Sequence, residues 1–307
     1  MANENKFVFV DLEEQASEKI ASPTYSYWGS VFRRFFASKV AIFMLIMSAF
    51  IIIMSIFQPM ISNYSPSDTP NINNFDMHRL RPSLQYWFGT DTYGNSLFDA
   101  VWAGTRNSLF VAFMATLITT VLGVAVGAIW GYSKKLDVIM IEVYNVIANI
   151  PFTLLVMVLM YVLGSGVWQL IFSLSVTSWL GTAYFIRVQV MIIRDREYNL
   201  ASRCLGTPTT TIIVHNILPY LISVIVTSVS RNLPMYISYE VFLSFLGIGL
   251  TREQASLGRM INDYSQFMVS APYLFWIPLA VSAIISVSLY VVGQTLADAS
   301  DPKTHMI

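Results

Sequence analysis

RDREYNLASRCLGTPTTTIIVHNILP, Arg194 to Pro219, is the longest polar segment between two apolar spans, and its reading decides the fold. The pattern predicts two short helices with a hinge between them. The first runs from about Glu197 to Leu205 and carries small Ala201 and Ser202, which let another backbone come close. Gly206 supplies the permissive backbone for a sharp turn. Thr207 as N-cap and Pro208 in the first turn start the second helix. Ile212 and Ile213 give that helix an apolar side, and Pro219 limits its continuation into the next span. Cys204, the one cysteine, reads as a small packing residue. Taken alone, such a loop is either a docking element or an amphipathic connector on a membrane surface.

Composition narrows the choice. The chain is 55% hydrophobic and only 12% charged, with a mean hydropathy of +0.58. Soluble domains carry about 25% charged residues, so this is an all-α integral membrane protein. Zero net charge gives no hint of nucleic-acid binding. A single cysteine excludes an intrachain disulfide and a cysteine-rich metal site, and His78, His215 and His305 make no zinc spacing. No cleavable signal is evident, because residues 1–27 are polar and acid-leaning.

A helix needs about 20 apolar residues to cross a bilayer. Six stretches qualify: 40–61, 107–131, 138–163 (kinkable at Pro151), 167–186, 218–246 and 273–296. They form one polytopic domain, 40–300, between an N-terminal segment 1–39 and a tail 301–307, with the polar loop at 194–217. Gly123, Gly127 and Gly131 recur every fourth residue and make one smooth stripe for close helix packing. Lys and Arg outside the spans number twelve on the side of the termini and the 194–217 loop against five on the other, with Arg231 inside the fifth span. Both termini and that loop are therefore expected in the cytoplasm.

Four motifs carry a resemblance. The loop resembles the EAA loop of ABC-importer permeases, whose consensus is E-A-A, three residues, G, nine residues, I-x-L-P. Leu200-Ala201-Ser202, Gly206, Asn216, Leu218 and Pro219 take the matching positions. Leucine replaces the acid, serine the second alanine and asparagine the isoleucine. Trp87 to Leu109, WFGTDTYGNSLFDAVWAGTRNSL, is similar to the entry motif of the dipeptide and oligopeptide permeases of the DppC/OppC type. Asn95-Ser96 and Phe98-Asp99 depart from it. Pro219, Pro234, Glu240 and FLSFLGIGL at Phe242–Leu250 resemble the fifth-span pattern, and Gly247 and Gly249 are expected to end that helix. The ending Gly293 to Lys303 resembles the family's C-terminal sequence. A near miss to a phosphate-binding loop, Gly89-x4-Gly94-Asn95-Ser96, lacks the lysine and falls on the outer side.

The resemblance implies the six-helix type I ABC-importer permease fold in a bacterial plasma membrane. It implies a second permease subunit as heterodimer partner, two cytoplasmic ABC ATPases, an extracytoplasmic peptide-binding protein and a peptide substrate. It makes Ala201, Ser202, Gly206, Thr207, Pro208 and Pro219 the ATPase-coupling residues. The chain itself is then no enzyme and holds no cofactor, since ATP is bound by the partner subunits. Other small cargo such as nickel, and a secondary transporter without an ATPase, are the alternatives; a secondary transporter calls for inverted repeats or paired broken helices, and neither is visible. Glu142, Asn145 and Asn149 share one face of the third span and are either an interfacial face or a wall of the translocation path. Arg231 and Glu240 fall on opposite faces of a straight helix, which points Arg231 to the pore or a subunit interface.

Overall fold

The computed structural model describes residues 27–62, 64–69 and 71–300. The acidic N-terminal residues 1–26 and the tail 301–307, with Asp301, Pro302 and Lys303 of the ending motif, lie outside the described residues.

The regular elements of the described residues are all helices, apart from one isolated bridge between Thr90 and Ser96. In order it forms α1 (Tyr27–Ala37), α2 (Lys39–Ser62), α3 (Leu97–Tyr132), α4 (Lys134–Ala148), α5 (Phe152–Leu163), α6 (Val167–Arg194), α7 (Glu197–Cys204), α8 (Thr209–Phe245), α9 (Leu257–Tyr264) and α10 (Pro272–Ala299). Helices α2, α3, α6, α8 and α10 are each long and apolar enough to cross a membrane. Helices α4 and α5 meet that test only together, and they are bent by 80° at the break between them. The expected third span is therefore two helices rather than one kinked rod. Pro151 is the reason: it stands as the N-cap of α5, where its extended backbone (ψ 119°) ends one helix and begins the next.

Helix α1 was not expected from the polar character of the N-terminal segment. Its Val31 and Phe35 are buried against Ala299, Val292 and Leu296 at the end of α10. Helix α3 begins well before the expected start at Asn107, because Ser96 caps it by accepting the Asp99 amide and Leu97 and Ala100 are buried against α9 and α10.

The glycine stripe does what its spacing predicts. A Cβ at Gly127 would sit 2.4 Å from the Ala183 carbonyl oxygen, one at Gly131 2.7 Å from that of Arg187, and one at Gly123 2.6 Å from the Thr182 side chain. Backbones of α3 and α6 thus meet directly, and larger residues are excluded.

At the opposite end of the bundle from α7, the Trp87–Leu109 motif folds as a cap. The Asp91 carboxylate accepts the Tyr93 and Asn95 amides, each at 2.8 Å. Thr90 Oγ1 donates to the Met77 carbonyl (2.6 Å) and accepts the Leu80 amide (2.8 Å). Gly89, at φ 81°, has the Leu80 carbonyl 2.4 Å from where a Cβ would stand. The amides that a phosphate would need are already engaged by Asp91. Burial pushes the Asp91 carboxyl above the usual carboxylate range, against the pull of those two amides. A raised folded-state pKa means that this loop is most favoured below the unfolded pKa and loses that contribution as pH rises through the folded one. Asp91→Asn, which keeps the acceptor without the charge, is expected to unfold at a temperature equal to or above wild type at neutral pH. The gap narrows as pH is lowered, whereas Asp91→Ala unfolds earlier at every pH; thermal unfolding in detergent at two pH values reads both.

Helix α8 ends at Phe245 through a left-handed Gly247 (φ 77°), whose amide bonds the Ser244 carbonyl while the Ile248 amide bonds that of Leu243, as the FLSFLGIGL pattern predicts. One turn earlier, fully buried Glu240 accepts from Ser244 Oγ (2.9 Å), and that hydroxyl accepts the Leu250 amide (3.1 Å). Glu240 therefore fastens the turn that follows its own helix.

Candidate functional site

The 194–217 loop is a helix–turn–helix, and the sequence signals locate both parts. Helix α7 spans Glu197–Cys204 and closes with a left-handed Gly206 at φ 80°. The Gly206 amide bonds the Arg203 carbonyl (2.9 Å) and the Thr207 amide bonds that of Ser202 (3.0 Å). These two bonds make a Schellman cap. Nothing lies within 4 Å of a Cβ built on Gly206, so backbone conformation alone demands glycine there. A non-glycine residue in this conformation costs about 1–2 kcal/mol. Gly206→Asn is expected to keep most function, since asparagine tolerates this region, and Gly206→Val to lose most of it. Transport assays on equal amounts of membrane-inserted protein make the comparison.

The second helix departs from expectation in two ways. Thr207 makes no side-chain cap; Pro208 occupies the N-cap position, with helix from Thr209. Pro219 does not limit the helix either. The chain passes through a π-helical turn at Ile212–Ile217 and a 3-10 turn at Leu218–Leu221 directly into the span. Pro219 sits in the first positions of that 3-10 turn, where its missing N–H leaves no partner unmatched. The second helix of the loop and the membrane span are therefore one continuous helix, Thr209–Phe245.

Two buried groups fix this element to the bundle. Asn199 is fully buried and donates to the Ile193 carbonyl at 2.9 Å. Its Oδ1 accepts from Asn216 Nδ2 (3.2 Å), which also reaches Ser202 Oγ (3.4 Å). Ser202 and Asn216 are two of the three departures from the consensus, and they compensate each other by bonding across the hairpin. Arg194, 7% exposed, donates from Nη1 to the Gly131 carbonyl (2.7 Å) and thereby caps the end of α3. Arg203 donates to the Tyr132 hydroxyl (2.9 Å) and lies over that ring. Below the second helix, Ile212, Ile213 and Ile217 join Ala128, Ile186 and Val190 in one apolar cluster.

The outer face of α7 is open and, beyond the exposed Glu197 at its start, apolar. Leu200, Ala201, Cys204 and Leu205 lie along one ridge, with Leu205 86% exposed. Cys204 is exposed, not the packing residue that its size suggested, because the buried side of the short helix is taken by Asn199. Leu205 was missed; a large apolar residue beside the hinge glycine is the signal that could have found it.

The polar positions assigned to the interior of the third and fifth spans stand apart from this loop. Asn145 and Asn149 are exposed on α4, joined by a bond from Asn149 Nδ2 to the Asn145 carbonyl. Arg231 is exposed on α8 and forms no ion pair among the described residues, while Glu240 is buried and bonded to Ser244. Arg187, counted among loop charges, is built into the fold: it pairs with Asp137 on α4 and lies 5.4 Å over the rings of Trp130 and Tyr184.

No group of three or more His, Cys, Asp or Glu side chains capable of holding a metal occurs among the described residues. A cleft of about 480 Å³ lies at the bundle end opposite α7, lined in part by Tyr64, Asp91, Tyr93, Arg252 and Phe267. Arg252 lies 3.7 Å over the Tyr93 ring there.

Comparison with known proteins accounts for this arrangement. Residues 123–306 match the family described as binding-protein-dependent transport system inner membrane component, and residues 26–82 match the N-terminal TM domain of oligopeptide transport permease C. The chain is 53% identical over 99% of its length to the oligopeptide transport system permease protein AmiD of Streptococcus pneumoniae, 98% of which is covered. It is 35% identical over 94% of its length to the oligopeptide transport system permease protein OppC of Bacillus subtilis, with 93% of that protein covered. A chain from crystals of the MetNI methionine ABC transporter in inward-facing conformations superposes with a TM-score of 0.51 at 20% identity, covering 66% of this chain and 96% of that one. That structure bears on the fold alone, which is the permease fold that the motifs imply. The chain belongs to the binding-protein-dependent transport system inner membrane components, as an integral permease subunit of a bacterial ABC importer.

Proposed function

We propose that this chain is one of two membrane-spanning subunits of an ATP-driven importer of oligopeptides, and that α7 with the start of α8 is its docking element for the ATPases. The observation that carries the reading is the open ridge of Leu200, Ala201, Cys204 and Leu205, held rigidly to the ends of α3 and α6 by Asn199 and Arg194. An exposed apolar patch on a braced element is the signature of a protein contact. The oligopeptide names of the relatives support the cargo.

The second permease completes the pore as a heterodimer, with Arg231, Asn145 and Asn149 as candidates for the pore wall or the subunit interface. Two cytoplasmic ATPases dock beneath, and both termini lie on their side. An extracytoplasmic binding protein delivers peptide at the opposite end, where the cleft beside Arg252 opens. This chain contributes no catalytic group and no cofactor; hydrolysis belongs to the partners. Closure of the ATPases draws the docking elements together. Since the loop continues as one rod through Pro219 into α8, its displacement turns the span itself, a rigid-body switch between two states.

Affinity purification in mild detergent tests this. Two ATPases, a second permease and peptide-stimulated ATP hydrolysis are expected. A lone chain that transports without ATP would contradict the reading and favour a secondary transporter.

A further inference from the structure

Helix α1 is divided into three sectors. Val31 and Phe35 pack on the end of α10, and the Tyr27 hydroxyl donates to the Ser300 carbonyl at 2.7 Å. Trp28, Phe32 and Phe36, spaced four residues apart, form a second stripe that is 45%, 52% and 53% exposed. Arg33 and Arg34 occupy the remaining sector; both are exposed and neither forms an ion pair among the described residues. No acidic residue occurs from Tyr27 to Ser62, and Lys39 adds a third positive charge at the start of α2.

Two features say what covers the aromatic stripe. Only Ser38 separates α1 from α2, whose Val40, Phe43 and Ile46 are more than half exposed, as side chains facing lipid must be. The aromatic stripe adjoins that lipid-facing surface in sequence, at the level where a span leaves the hydrocarbon. Aromatic side chains favour this interfacial level. The charge flanking the stripe has one sign and matches an anionic surface. We infer that α1 is an interfacial helix that binds anionic phospholipid, with Trp28, Phe32 and Phe36 in the acyl boundary and Arg33 and Arg34 on the headgroups. Because its other face holds the end of α10, lipid composition bears directly on how firmly that span end is clamped.

The test uses the full chain reconstituted in vesicles of phosphatidylcholine, with or without roughly one-quarter phosphatidylglycerol, a mixture within the range of anionic membranes. Acyl chains brominated near the headgroup quench tryptophans in the boundary, and the Trp28 contribution is taken by difference against Trp28→Phe. Each basic residue near an anionic surface contributes about 1 kcal/mol, close to a fivefold shift in the inserted population. Trp28 quenching is expected to rise with phosphatidylglycerol, and Arg33→Gln with Arg34→Gln to return it to the phosphatidylcholine level. Arg33→Lys with Arg34→Lys should retain the response, which separates charge from fold damage. Equal quenching in both lipids would overturn the inference by leaving only apolar partition. Quenching absent in both, with Trp28 shielded by a second copy or another subunit, would overturn it in favour of a protein contact.

Discussion

Leu205→Glu is expected to abolish ATP-driven uptake while the chain reaches the membrane in normal amount. The side chain is 86% exposed and enters no apolar cluster of the described fold, so its replacement removes nothing the protein needs to fold. Surface changes of that kind alter stability by about 0.5 kcal/mol or less. At a docked interface the same change buries an unpaired carboxylate, which costs several kcal/mol. Truncation alone, Leu205→Ala, is expected to cost about 2 kcal/mol, or about 30-fold in ATPase affinity, if this is the anchor of the ridge. The measurement is ATPase co-purification and peptide uptake per unit of inserted protein. Loss of uptake with unchanged ATPase association would place the defect elsewhere and sink the docking role.

Gly127→Leu is expected to prevent assembly of the bundle altogether. Even the first carbon of any side chain there falls 2.4 Å from the Ala183 carbonyl and 2.9 Å from its Cα, both rigid backbone of α6. Overpacking of this kind costs about 1–3 kcal/mol for small insertions, so Gly127→Ala should lower the unfolding temperature and Gly127→Leu should leave no folded protein in detergent. Gly181 provides the control. It lies on α6, and a Cβ there meets nothing within 4 Å. Gly181→Ala should be neutral or slightly stabilising, as the higher helix propensity of alanine dictates. Equal damage from the two alanine variants would show that close approach at Gly127 does not hold the helices together.

Much of this was legible in the sequence because local chemistry dictated it. Gly206 and Gly247 stop helices wherever a left-handed residue is needed, and the Gly123, Gly127 and Gly131 spacing admits only a close partner. What escaped depended on long-range neighbours. Pro219 reads as a terminator, yet the π turn before it shifts the hydrogen-bond register so that the helix passes through. Arg187 and Arg194 read as loop charges, but α6 extends to Arg194 and carries both inside the fold against Asp137 and the Gly131 carbonyl. The EAA departures looked like erosion of a motif. In three dimensions Ser202 and Asn216 bond to each other, a pairing invisible at a separation that no helical period connects. Helix α1 escaped for a different reason: it is too short and too interrupted by Arg33 and Arg34 to read as a span, although its apolar residues do share one side.

Helix α7 is proposed to meet an ATPase, and the chain's single cysteine stands exposed on that helix. A short maleimide–diazirine crosslinker, attached through Cys204 and activated by light in the intact complex in membranes, tests that contact because its second end needs no thiol on the partner. An adduct between this chain and an ATPase subunit is expected, with Cys204 protected from a bulky maleimide until the ATPases are stripped away. Free labelling of Cys204 in the intact complex, with no adduct to either ATPase, would contradict it.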